Sequence, residues 1–593
     1  MPVRYTTAGM LAAPEVIHLG SVFEASRALD QWIASHCPDS LYVGTFWALC
    51  LSPLVLAILA LALRPARPRR RGRPPLFLAL ILGSLLLARL PLLCYAQLNP
   101  DEAWTLSAAM RVQADPVAYR SFDPSTSGPL NIYVQSIPAW FGLPLTYISS
   151  RLIGITLVFG TLAFLWFTYR RFLTERLAGL ALMPAYCFYL FAWDSDFVHC
   201  SSEHVAVFLG AVAVYLLARD FQSGSSTSLF RTGALGALVG GMVFAKLQAV
   251  PAAAALLLLA VPIAWRKSHR TAALTTLAAG AALIPAAFLA LFLRFGLLRD
   301  FSIFYLKANA AYTQVTGLSP YGKIRNAIEL LFGMSNMGAY VWGLLAVFVA
   351  ALAAAVALGL GRRHPSATRL HEQGCLTVAS AVLLAAGFTS VAAPGRQFMH
   401  YLLFLVVPLG VSTASALLWI HTFFCARTWK YAAPLGVACF LCATCILPTA
   451  ARDHIDDAWD ASPFSPGEPL PAAIRQYASD HDQVAVWGRR TELYVITRRV
   501  SATRFPDSVA QFEPSPYLPY YRRLYMEDFL RAMPPVFIDA VGPGGFTYTD
   551  RSEAGYETFE ELRQAVARDY HQTAEIDGAR LFVRIDRLPA APR

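Results

Sequence analysis

The feature that most constrains this chain is the recurrence of long apolar runs separated by short arginine-rich loops. A run of about 18 or more apolar residues is long enough to cross a bilayer as a helix, with its backbone groups paired internally. Such runs fill the first three quarters of the 593 residues, from Leu41–Leu63 and Leu76–Ala96 to Leu402–Ile420 and Ala432–Leu447. The loop after the first run carries the densest positive cluster, Arg64 to Arg73. Arg170-Arg171, Arg219, Arg266-Lys267, Arg362-Arg363 and Arg427 with Lys430 follow at later loops. Placing all of them on the cytoplasmic side closes the alternation with about twelve spans and an outside N-terminus. The net charge of +11 would suggest nucleic acid in a soluble protein. Here the loops account for it, and no nucleic acid partner is expected. The cysteines are scattered, mostly within apolar runs, and suggest no disulfide framework.

The expected fold is therefore an all-α polytopic membrane bundle. Residues 1–44 read as an interfacial segment, without the charged start and immediate apolar core of a cleavable signal peptide. Residues 45–449 read as the membrane domain. From about Ala450 the composition turns polar. Val484–Trp487, Pro535–Asp539 and Leu581–Ile585 read as strands, and Pro469–Ser479 and Phe559–Tyr570 as helices. Residues 450–593 should thus form a small α/β domain on the outer face.

On this topology the unusual polar residues converge outside. Asn99-Pro100-Asp101-Glu102 follows the second apolar run, and ionisable groups at a membrane surface are functional candidates. The same residues could simply cap and charge a helix start. Asp194, Asp196, His199, Glu203 and His204 mark a second loop, and Lys246 and Gln248 sit at a break between two apolar runs. Arg396, His400 and Tyr401 lie on a further outer turn. A carboxylate in a partly dry site suits a general base toward a hydroxyl or amine. Lys and Arg at the same level suit a phosphate leaving group. The acids and histidines have the residue types for a divalent metal, but their spacing matches no tight ligand motif, so metal is left open.

This pattern resembles the GT-C superfamily of integral-membrane glycosyltransferases. The similarity is greatest to the bacterial branch related to protein O-mannosyltransferases and aminoarabinose transferases. It is carried by Asn99-Pro100-Asp101-Glu102, Gly128-Pro129-Leu130, Glu203, Lys246 within Phe-Ala-Lys-Leu-Gln, and Pro394-Gly395-Arg396 through His400-Tyr401. Val486-Trp487-Gly488 and Glu492-Leu493-Tyr494 resemble the outer appendage of some members. The resemblance covers residues 76–593. It departs from many relatives at Gly128, where they carry Lys, and at Glu203, where they carry Asp.

The resemblance implies an inverting transfer from a polyprenyl-phosphate-linked sugar to an envelope lipid, glycan or protein acceptor. Asp101 would be the general base, beside Glu102, with Glu203 the second acid and Asp196 its competitor. Lys246 and Arg396 would contact the donor phosphate, with Gln248, His400 and Tyr401 in the substrate site. The branch implies a bacterial inner membrane, with the active site and C-terminal domain in the periplasm. The alternative is a lipid-linked sugar flippase or transporter, which should show internal repeats and mid-span charges. Neither is evident here.

Overall fold

The structure is a computed structural model that describes residue 52 and residues 76–93, 99–192, 195–226, 228–333, 336–359, 367–424, 432–446, 468–543, 545 and 547–588. The expected interfacial segment, all of the run Leu41–Leu63 but Ser52, the arginine cluster after it, Asp194 and the boundary near residue 450 lie outside these residues. The chain divides into two compact units: residues 1–64 with 72–94, and residues 65–71 with 95–593. In the first, the described helix is α1 (Leu76–Leu93).

The larger unit begins with two short helices, α2 (Pro100–Val112) and α3 (Pro129–Gln135). The bundle follows: α4 (Tyr147–Phe172), α5 (Glu175–Phe191), α6 (Ser202–Gln222), α7 (Leu229–Ala245), α8 (Val250–Trp265), α9 (Arg270–Phe295), α10 (Pro320–Gly333), α11 (Asn336–Gly359), α12 (Ala367–Ala392), α13 (Val406–Phe424) and α14 (Ala432–Ile446). Each described apolar run thus forms a helix. Six helical segments among the described residues are long and apolar enough to cross a membrane, and a seventh counts if α10 and α11, bent by 92°, make one span. The protein is a multi-pass membrane protein.

Burial ranks these helices. In the segment Met399–Thr422, which contains most of α13, 89% of the apolar window is buried, against 11% in α9. The first is the bundle's centre, and the second turns most of its apolar surface outward, as a lipid-facing helix does. α9 nevertheless packs closely on α7, because both present glycine there. A Cβ on Gly236 would stand 2.3 Å from the Leu277 carbonyl oxygen, and one on Gly280 2.1 Å from that of Gly233. Small residues of this kind let membrane helices pack backbone to backbone, where lipid removes most of the hydrophobic drive.

The C-terminal part carries α15 (Pro469–Tyr477), β1 (Gln483–Trp487), α16 (Glu492–Thr497), β2 (Val500–Ser501), α17 (Leu518–Ala532), β3 (Val536–Asp539), α18 (Glu560–Asp569), β4 (Tyr570–Ile576) and β5 (Ala579–Arg584). The sheet order is β2-β1-β3-β5-β4. β1 runs parallel to β2 and β3, with Val484 opposite Val536 and Trp487 opposite Asp539, while β5 is antiparallel to β3 and β4.

Both faces of the central strands are covered, which explains their near-continuous apolar sequence. Val484, Val486, Val536, Ile538 and Leu581 pack on Leu470 and Ile474 of α15. Ala485, Trp487, Phe537 and Phe582 face the other way, into a core shared with Ala103, Leu106 and Ala109 of α2 and with Tyr119, Phe122 and Phe304. The domain is therefore not tethered only at its ends. Its second face and the loop helices bury one another. Polar clamps close the seam: Arg504 pairs with Asp528 at 2.7 and 2.9 Å and donates to the Tyr119 carbonyl at 3.1 Å. The Asp123 amide donates to the Arg504 carbonyl at 2.8 Å.

Candidate active site

The first acidic pair sits in the opening turn of α2. Asn99 caps this helix, its Oδ1 accepting from the Asp101 amide at 2.9 Å, and Pro100 takes the first helical position. Both features are the usual chemistry of a helix start. The capping interpretation of these residues thus holds for Asn99, while the two acids diverge. Glu102 is fully buried and makes two parallel bonds to Arg151, 2.7 and 2.8 Å. Asp101 has a side chain 50% exposed, with Oδ1 3.0 Å from Arg489 Nη2. Among the described residues its Oδ2 has no hydrogen-bond partner.

A chain of polar contacts leads away from this helix start. Asn99 Nδ2 donates to Asp196 Oδ1 at 2.7 Å, and His400 Nδ1 meets Asp196 Oδ2 at 2.9 Å, with the His400 amide at 3.3 Å. Asp196 is thus a junction for three loops. Burial pushes its carboxyl up, but the bonded imidazole outweighs this and holds it below the usual carboxylate range. His400 Nε2 lies 4.0 Å from Glu203 Oε1, and Lys246 Nζ lies 3.0 Å from the same oxygen. Lys246 also donates to Ser202 Oγ at 2.6 Å. His199 and His204 are engaged elsewhere, on the Ser195 carbonyl at 2.7 Å and Ser201 Oγ at 2.9 Å.

The break between α7 and α8 is what delivers Lys246. Pro251 enters the first turn of α8, and Lys246 takes an extended backbone, φ −157° and ψ 127°. That extended residue pairs with Ser127 as an isolated antiparallel bridge, and the Gly128 amide donates to the Ala245 carbonyl at 3.0 Å. The loop between α2 and α3 and the helix break are thereby pinned together. Gln248 leaves the cluster and donates to the Ser390 carbonyl at 2.7 Å.

The turn before α13 supplies the remaining residues. Gly395 has φ +69°, and its carbonyl accepts from Asn326 Nδ2 at 3.1 Å. Arg396 lies over the Tyr312 ring at 4.2 Å, and Tyr312 shares a 3.2 Å hydroxyl contact with Tyr401. The Nε of Arg396 is buried without a hydrogen-bond partner among the described residues. No group of three or more His, Cys, Asp or Glu side chains among the described residues is arranged as metal ligands would be.

No family model matches the chain, and no curated protein does. Solved structures do. ArnT from Cupriavidus metallidurans in the apo state is 13% identical, with 87% of this chain and 99% of that one covered and a TM-score of 0.50. The same protein bound to undecaprenyl phosphate gives 12% identity, the same coverage and a TM-score of 0.49. The Archaeoglobus fulgidus oligosaccharyltransferase tethered with an acceptor peptide gives 14% identity and a TM-score of 0.42, covering 83% of this chain and 69% of that one. The chain shares the fold of ArnT.

The departure at Gly128 has a steric reason. A Cβ there would stand 1.9 Å from the Phe244 carbonyl oxygen, so the bridge to the helix break leaves room for glycine alone. Two site neighbours were not singled out in the sequence. Arg151 lies 49 residues from Glu102 within an apolar helix, and a buried arginine there signals an acidic partner. Arg489 lies 388 residues from Asp101, directly after a strand, where an arginine reads as a solvated surface charge.

Proposed function

We propose that the chain is a membrane glycosyltransferase that moves a sugar from a polyprenyl-phosphate donor to a hydroxyl or amine acceptor at the periplasmic face of a bacterial inner membrane. The observation that carries this reading is the Asp101 carboxylate. It is half exposed, keeps one oxygen without a hydrogen-bond partner among the described residues, and stands at the head of the polar chain that ends at Lys246. The fold shared with ArnT supports the reaction class, and the binding of undecaprenyl phosphate by that protein supports the donor class.

Asp101 takes the acceptor proton as the acceptor heteroatom bonds to the anomeric carbon. The bond from that carbon to the phosphate oxygen breaks on the opposite face, so configuration inverts and polyprenyl phosphate leaves. Lys246 and Arg396 offer positive charge to that phosphate, and Arg396 Nε is a donor without an acceptor among the described residues. Glu203 and Ser202 hold Lys246 in place, and Asp196 with His400 holds the loops around it. Glu102 has a structural part in this reading, because its oxygens are committed to Arg151.

The test uses the full chain in lipid, an undecaprenyl-phosphate sugar labelled in the sugar, and a membrane extract as acceptor source. The expected result is release of free undecaprenyl phosphate with the label in a new product. Movement of intact labelled lipid across the bilayer without release would overturn the reading in favour of a transporter.

A further inference from the structure

Among the described residues, Arg489 of the C-terminal domain reaches the acidic pair. β1 ends at Trp487, whose ring is fully buried and whose Nε1 donates to the Ala554 carbonyl at 2.8 Å. Gly488 follows with φ +102°, and its amide donates to Ser508 Oγ at 2.6 Å. The next residue is Arg489. Its backbone is thus presented by the end of an interior strand, an anchored indole and a glycine turn, none of which can shift easily. Arg489 Nη2 lies 3.0 Å from Asp101 Oδ1, and the part-buried carboxylate of Asp507 lies close enough to act on the same guanidinium.

We propose that Arg489 is a positioning residue for the proposed transfer, supplied by the C-terminal domain to the general base on the membrane domain. By occupying Oδ1 it fixes the rotation of the Asp101 carboxylate and leaves Oδ2 toward the acceptor. Asp101 keeps half of its side-chain surface open despite the contact, so Arg489 orients the base without covering it. The domain is then part of the catalytic centre, and the core it shares with α2 serves to hold two charges in register. This inference rests on Asp101 being the general base.

The experiment measures steady-state release of undecaprenyl phosphate from the labelled donor with the same membrane extract. It compares the unaltered chain, Arg489→Ala, Arg489→Lys, Asp101→Asn and the double variant. Arg489→Ala should lower kcat by about 10- to 100-fold, the scale of a misplaced reacting group, with the donor KM within about twofold. Arg489→Lys should recover most of the loss. In the Asp101→Asn background Arg489→Ala should change nothing further, because the group it orients is gone. An unaltered chain that turns over, an inactive Asp101→Asn and an Arg489→Ala as fast as the unaltered chain would overturn the positioning role alone. A faster Arg489→Ala would overturn it in favour of an inhibitory latch. If the unaltered chain releases nothing, or Asp101→Asn releases as much, the transferase reading itself fails and this inference fails with it. Equal losses in Arg489→Ala and Arg489→Lys, with earlier melting in both, would also overturn it, marking Arg489 as a structural contact only.

Discussion

Asp101 and Glu102 are the same chemistry one residue apart, and the fold gives them opposite work. Successive residues on an α-helix are turned by about 100°, so one carboxylate enters the bundle and the other leaves it. Glu102 and Arg151 are both about fully buried, and such a pair is costly to break from one side because the remaining charge stays in a dry site. Glu102→Ala should therefore destabilise the protein by about 3–5 kcal/mol, read as a marked fall in melting temperature in detergent. Asp101→Asn should melt close to the unaltered protein, because its partner Arg489 is part-exposed. No sequence pattern separates these two acids. The distinction lies in Arg151, which the apolar run of α4 conceals.

At the scale of elements, the run-and-loop pattern made the helices legible, because each must bury an apolar length and each loop carries its own charge. The strands of the C-terminal domain were legible for a similar reason, as β1, β3 and β5 need apolar residues on both faces. The packing partners were not legible. Nothing in Gly233, Gly236 and Gly280 says which helices meet, yet α7 and α9 touch through them. Gly280→Leu should push these helices apart, since its Cβ alone would stand 2.1 Å from a backbone oxygen. The expected cost is at least about 1–3 kcal/mol, seen as a lower melting temperature. An equal substitution at Gly374, where a Cβ meets nothing within 4 Å, should leave the melting temperature within about 2 °C.

At the scale of the whole molecule, the loop helices and the C-terminal domain share one core, and that seam carries a pH dependence. Burial pushes the Asp123 carboxyl up to about 7, against the hydrogen bond from the Ser125 amide. Burial likewise pushes Asp507 up to about 6, against the nearby Arg489. An unfolded aspartate ionises near pH ~3.9, so between about pH 4 and 7 the folded chain holds protons that the unfolded chain has lost. Stability contributed by these groups then falls as pH rises through that window. Melting should be lower at pH 8 than at pH 5, and Asp123→Asn should shrink the difference. An unchanged difference in that variant would show that Asp123 does not carry it. The candidate site was legible in part at this scale. An acid or lysine stands out in an apolar chain, so Asp101, Asp196, Glu203, Lys246, Arg396 and His400 could be named. Arg489 stands among many charges in a polar segment and could not.

Asp101, at the start of α2, is the proposed general base in transfer from a polyprenyl-phosphate sugar. The most direct measurement is turnover of that donor by Asp101→Asn, with folding checked by melting. A general base at Asp101 predicts a loss of at least ~100-fold in kcat in a protein that melts as the unaltered chain does. An Asp101→Asn variant that releases undecaprenyl phosphate at the unaltered rate would contradict it and leave Asp101 as a helix-start charge.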